Sequence, residues 1–242
     1  LMQSSKGLDR VLFTIKLKNR NSMKKLILLP FYLVIPSTYA ENLPASVSPL
    51  VAKNWQIISF AKGDLNQDQT DDIALLLKPK NVKTSGARLD IYFHQNNQYT
   101  LKLSKALGAW SYANEQECIG SAFDESSLNI QRHVLKIKLH DEPLCTNTYS
   151  LNYTYTFKYD QHRFQLIGFD SFSGDKLTGN ITEKSVNYLS HKIKIHNSNF
   201  FPDKKIKAKI EWKNLENKKS HYLENMGFDN DDYNLNFEEQ YK

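Results

Sequence analysis

The sequence predicts an all-β protein assembled from antiparallel hairpins and meanders. Apolar and polar residues alternate with period two through "RLDIYFHQNNQYTLKLS" (88–104), "HVLKIKLH" (133–140), "LNYTYTFKYDQHRFQLIGF" (151–169), "HKIKIH" (191–196) and "KKIKAKIEW" (204–212). That is the pattern of strands with one face buried. Isoleucine, tyrosine and phenylalanine recur in these stretches, as a pleated, half-buried surface favours. No window sustains an apolar repeat of 3.6 residues, and only 101–112 hints at one.

The chain opens with a segment that does not belong to this fold. Met23-Lys24-Lys25 is a basic start, Leu26–Ile35 is apolar, and Thr38 and Ala40 are small residues three and one before a cut. This is the three-part layout of a secretory signal peptide, and its apolar run falls well short of the roughly 18 residues that span a bilayer. Pro30 and Pro36 would break a core helix there twice. We therefore expect residues 1–40 to be an upstream extension and a cleaved signal, with a periplasmic or secreted mature chain that carries no membrane span. Removing residues 1–40 removes seven of the 32 Lys/Arg and one of the 26 Asp/Glu, which leaves 25 of each. The basic balance thus sits in the presequence, and net charge gives no argument for a nucleic-acid partner.

Within 41–213 the strands follow in order. A first unit, 55–103, holds Gln56–Ala61, Ile73–Leu77, Leu89–Phe93 and Tyr99–Leu103. "YFHQNNQYTL" (92–101) and "FKYDQHRFQL" (157–166) align without gaps, 65 residues apart and with four or more polar residues between their arms. A second unit, 127–169, accommodates the same four strands. Such spacing suggests blade-like repeats, although about 200 residues cannot supply a complete propeller. An open or sandwiched pair of sheets is the expectation. Residues 214–242 are acidic and Asn-rich and read as a tail or docked segment.

Two cysteines, Cys118 and Cys145, remain. In an exported chain such a pair most simply makes one disulfide. A zinc site lacks further cysteines at ligand spacing, and a catalytic thiol would need protection from oxidation.

The stretch nearest to chemistry is "GDLNQDQTDDIALLL" (63–77). Calcium takes six to eight hard oxygens gathered where the backbone turns. Asp64, Asn66 and Asp68 stand at positions one, three and five, Thr70 offers a carbonyl at seven, and Asp72 stands at nine. An EF-hand needs a carboxylate at twelve, where this chain has Leu75. The competing reading is a solvated acidic turn without metal. At these residues the stretch resembles the calcium loop of FG-GAP/VCBS-type repeats, as in integrin α-chain propellers, with a pattern close to Asp-x-Asn-Gly-Asp-Gly-x-x-Asp before an apolar strand. The resemblance implies Asp64, Asn66, Asp68 and Asp72 as side-chain ligands and Thr70 as a carbonyl ligand of a structural, weakly bound calcium. It departs where the pattern has glycine, at Gln67 and Gln69.

No nucleophile elbow, His-Glu-x-x-His, Walker loop or dinucleotide fingerprint occurs. The seven histidines are scattered, and Asp141-Glu142-Pro143 reads as a turn. Tyr149, Tyr153, Tyr155 and Tyr159 read as cross-strand packing rather than a ligand-binding face. The functional expectation is a non-enzymatic exported module that binds a protein or envelope ligand. The alternatives are a periplasmic inhibitor or immunity-type protein that neutralises a toxic or lytic enzyme, and a hydrolase whose site converges only in three dimensions.

Overall fold

The computed structural model describes residues 47–80, 86–109, 111–113, 119–141, 148–201, 208–216 and 219–226. All of them fall in the second of two units, Leu1–Glu41 and Asn42–Lys242. Cys118, Cys145 and the signal-like segment lie outside the described residues.

The described residues form two main antiparallel sheets. The first, in the order β1-β2-β3-β4, contains β1 (Trp55–Gly63), β2 (Asp72–Pro79), β3 (Gly86–Gln95) and β4 (Gln98–Ala109). A short pair, β5 (Ser111–Ala113) and β6 (Ile119–Ser121), follows. The second sheet is a seven-stranded meander of β7 (Leu128–Gln131), β8 (Val134–Asp141), β9 (Tyr149–Asp160), β10 (Arg163–Asp175), β11 (Asn180–Asn187), β12 (Lys192–Asn199) and β13 (Lys209–Asn214). Neither sheet closes into a barrel or propeller. The all-β expectation is met. The helical hint at 101–112 resolves into β4: Leu103 and Leu107 both turn to the core, and a spacing of four suits a period of two as well as one of 3.6.

Three hairpins close through two-residue turns with both residues left-handed: Asn96-Asn97, Arg132-His133 and Gln161-His162. These are type I′ turns, whose twist matches that of the flanking strands. They are tighter than the sequence suggested, because Gln95 pairs with Gln98 and Asp160 with Arg163. Polar residues at a strand end need not be loop; here the strands simply outrun the core.

The two aligned hairpins share register. Tyr92 pairs with Leu101 and His94 with Tyr99, while Phe157 pairs with Leu166 and Tyr159 with Phe164. Each hairpin then skips one residue in a bulge, at Lys102 and at Ile167, again 65 positions apart.

The sheets pack face to face over Leu76, Leu89, Ile91, Phe93, Tyr155, Phe157, Phe164 and Phe169. Phe93 meets Tyr159 edge-on at 4.8 Å, and Tyr155 lies 4.9 Å from Phe169. Each fully buried ring contributes about 1.5–3 kcal/mol. β2 is buried over its whole run Asp72–Leu77, because the segment at 47–55 covers its other face through Val47, Leu50 and Trp55. Before the bulge, at Gln165 and Leu166, β10 has residues 221–222 beside it in place of β11. The N–H of Leu166 donates to the carbonyl of His221 at 2.9 Å, Gln165 bridges Tyr222, and Leu215, Leu223 and Met226 enter the core.

Candidate functional site

The acidic loop joins β1 to β2 at the end of the molecule where the three type I′ turns also sit along their strands. Where β7 turns into β8 in two residues, β1 reaches β2 through residues 64–71. The two connections touch: His133 Nδ1 lies 2.9 Å from the Asp64 carbonyl oxygen and 3.4 Å from its carboxylate. A carbonyl only accepts, so Nδ1 carries the proton. Gly63 is set by this closeness, since a Cβ there would fall 2.7 Å from Ile130 Cγ2.

Inside the loop the acidic side chains turn back onto the backbone. Asp64 Oδ1 accepts the N–H groups of Gln67 (2.6 Å) and Asp68 (3.2 Å), and its Oδ2 accepts that of Gln69 (3.1 Å). Asn66 Oδ1 accepts from the Asp68 N–H and Asp68 Oδ1 from the Thr70 N–H, both at 2.9 Å. The Thr70 hydroxyl also lies on Asp68 Oδ1 and within 3.0 Å of the His94 carbonyl oxygen. This nest of N–H groups requires left-handed backbone at Gln67 (φ 67°) and Gln69 (φ 68°), a region that disfavours an L side chain by roughly 1–2 kcal/mol.

Asp72 plays a different part. It is fully buried, and its two oxygens accept the N–H groups of Leu65 (2.9 Å) and His94 (3.0 Å). It therefore ties the loop to β3. Burial raises its pKa above the ordinary value, and the two N–H donors oppose this only in part. The pKa of Asp68 is lowered, chiefly by the hydroxyl of Thr70 and against slight burial, with help from the Thr70 N–H, Asn66 and the charge of His94.

Asp64, Asn66, Asp68, Thr70 and Asp72 thus share one loop. Among the described residues, no three His, Cys, Asp or Glu side chains converge as a ready metal centre. In kind the donors fit calcium, being carboxylate, amide and carbonyl oxygens. Their N–H bonds do not exhaust them, since a carboxylate oxygen has more than one acceptor direction. His94 and His133 escaped the sequence reading because they come from other hairpins; their only signal was a place at or beside a turn.

A second polar site lies on the outer face of the seven-stranded sheet, where a cavity of about 280 Å³ brings His196 beside Asp170 and Glu183. His196 Nδ1 lies 2.6 Å from Glu183 Oε2, and the Ser185 hydroxyl donates to Asp170 Oδ1 at 2.6 Å. Ser185 is bonded to a carboxylate and not to a histidine, so the serine–histidine–acid relay of a hydrolase is not made here. Comparison with protein-family models, curated proteins and solved structures gives no match.

Proposed function

We propose that the chain is an exported interaction module whose 64–72 loop is ordered by calcium. The observation that carries this reading is the left-handed backbone at both Gln67 and Gln69, the two positions where the resembled calcium loop has glycine. The type I′ turns of this chain use adjacent left-handed pairs, whereas here Gln67 and Gln69 alternate with Asp68 between them, as the two glycines do in the resembled loop. Asp64, Asn66 and Asp68 would hold the ion with the Thr70 carbonyl, and Asp72 would complete the set from the start of β2. The ion supplies positive charge among three carboxylates that otherwise repel one another, so its effect falls on stability and not on turnover. Export rests on the pattern at Met23–Ala40, and with it goes a Cys118–Cys145 disulfide, read by mass spectrometry with and without reductant.

Thermal unfolding in calcium and in chelator tests the loop. Tenfold excess over Kd stabilises by about 1.4 kcal/mol, a rise of roughly 3–5 °C for a chain of this size. Asp68→Ala should abolish the rise. Asp71→Ala should keep most of it, because Asp71 stands outside the ligand spacing and pairs with Lys62 at 3.0 Å. Identical melting of the parent chain in both buffers overturns the reading.

A further inference from the structure

We propose that the outer face of the seven-stranded sheet docks an extended anionic polysaccharide. This rests on the reading of the chain as an exported interaction module, and not on the metal loop.

The lysines of "HVLKIKLH" and "HKIKIH" alternate with residues that point inward: Leu135, Ile137, Leu139 and Ile193 are buried. Strand pairing then sets the outward residues side by side. Lys138, Thr154, Asp170, Ser185, Lys194 and Trp212 form one row across β8 to β13. The next row starts at Lys136 and reaches Lys192 through Thr156, Gly168 and Asn187. The face therefore carries two lysine rails, on β8 and β12, about 19 Å apart across four strand steps. Among the described residues none of these four lysines has an ion-pair partner. Two carboxylates lie between the rails, Asp170, hydrogen-bonded by the Ser185 hydroxyl, and Glu183, beside His196, so the four lysines outnumber them. Residues 41–242 are formally neutral, so this excess is local to the face.

Charge complementarity selects an anion, and the floor selects its kind. Between the rails the sheet presents hydroxyls and amides, which both donate and accept, as sugar hydroxyls do. The central cavity of about 280 Å³ opens between the rails, with Phe172 in its wall. Trp212, 66% exposed at the end of the Lys194 row, offers a ring face for the C–H side of a pyranose. A lipid surface would ask for a broad continuous apolar border, whereas the exposed apolar residues of this sheet are dispersed, with Ile210 and Trp212 on β13, Leu177 and Leu189 in turns at opposite strand ends and Phe200 just past β12.

The test is calorimetric titration of the purified chain with a heparin oligosaccharide at two salt concentrations, beside neutral dextran, poly-glutamate and phosphatidylglycerol vesicles. Heparin should bind and weaken with salt, as displaced counterions require, while the other three bind at least about tenfold more weakly. Lys138→Gln with Lys194→Gln should weaken heparin about tenfold and flatten the salt dependence, Trp212→Ala should weaken it severalfold, and Lys53→Gln should change nothing. Equal melting temperatures establish that these variants are folded. Dextran, poly-glutamate or vesicles binding as tightly as heparin, or an unaffected lysine double variant, overturns the proposal. Heparin binding should persist in chelator. Its failure while calcium still raises the melting temperature sinks this inference alone, and the converse sinks only the loop.

Discussion

Replacing Gln67 and Gln69 with glycine should stabilise the protein, against the usual cost of adding glycine. Both residues sit near φ +68° and both are exposed, and their amide side chains make no hydrogen bond among the described residues. The substitution therefore acts almost wholly through the backbone. Relieving a left-handed L residue is worth roughly 1–2 kcal/mol, and the extra freedom of glycine in the unfolded chain takes back about 0.4–1 kcal/mol. Each site nets roughly 0.5–1 kcal/mol, and the pair about 1–2 kcal/mol if the two add. For a chain of this length that is a melting-temperature rise of about 3–6 °C. Urea unfolding in chelator measures it without any contribution from metal. Gln95→Gly serves as the opposite control, because Gln95 lies in β3, where glycine should cost about 0.5–1 kcal/mol. If the loop variant loses stability as the control does, the left-handed loop backbone is not the solution structure, and the argument for a calcium-type loop goes with it.

Asp72→Ala should destabilise by about 2–4 kcal/mol, since it leaves the buried N–H groups of Leu65 and His94 unpaired; denaturant unfolding reads it, and Asp72→Asn should recover part of the loss. Gly63→Ala should cost about 1–3 kcal/mol through its clash with Ile130 Cγ2, and Ile130→Ala in the same chain should restore much of it if β1 lies against β7. Asp124 has a lowered pKa: burial pushes it up, but the Ser126 hydroxyl and N–H, the charge of His140 and the Ser127 hydroxyl outweigh that. A lowered folded-state pKa stabilises above the ordinary value of 3.8 and ceases to do so as pH falls through the folded value. Asp124→Asn should therefore cost about 0.5 kcal/mol at neutral pH, discounted for exposure, and progressively less below pH ~4; a loss independent of pH would remove the electrostatic explanation.

The strands were legible because alternation survives in a single sequence wherever one face is wet. "HVLKIKLH" and "HKIKIH" read directly as β8 and β12, and β2 was visible as an apolar run because both its faces are covered. The acidic loop was legible as spacing. Its departures at Gln67 and Gln69 read as a weakness, yet the backbone at both takes the shape that glycine would. What stayed hidden was whatever depends on pairing between distant strands. The contact of His133 with Asp64 and the row from Lys138 to Trp212 join residues that no local pattern connects. Asp72 was legible as acidic but not as buried, because alternation does not say where a loop ends and its anchor begins.

The segment that takes over beside β10 bears on when this chain can fold. Phe164 N–H donates to Glu224 Oε1 at 3.0 Å, and Lys105 Nζ reaches the Glu224 carbonyl at 3.2 Å across 119 positions. The sheet is thus finished by residues 60 and 119 positions away from the groups they bond, and pairings so distant in sequence close slowly. Until residues 221–226 arrive, Phe164 and Leu166 lack their final cover. Closure of this clasp therefore comes late in folding: the same residues that complete the core beside β10 postpone its completion.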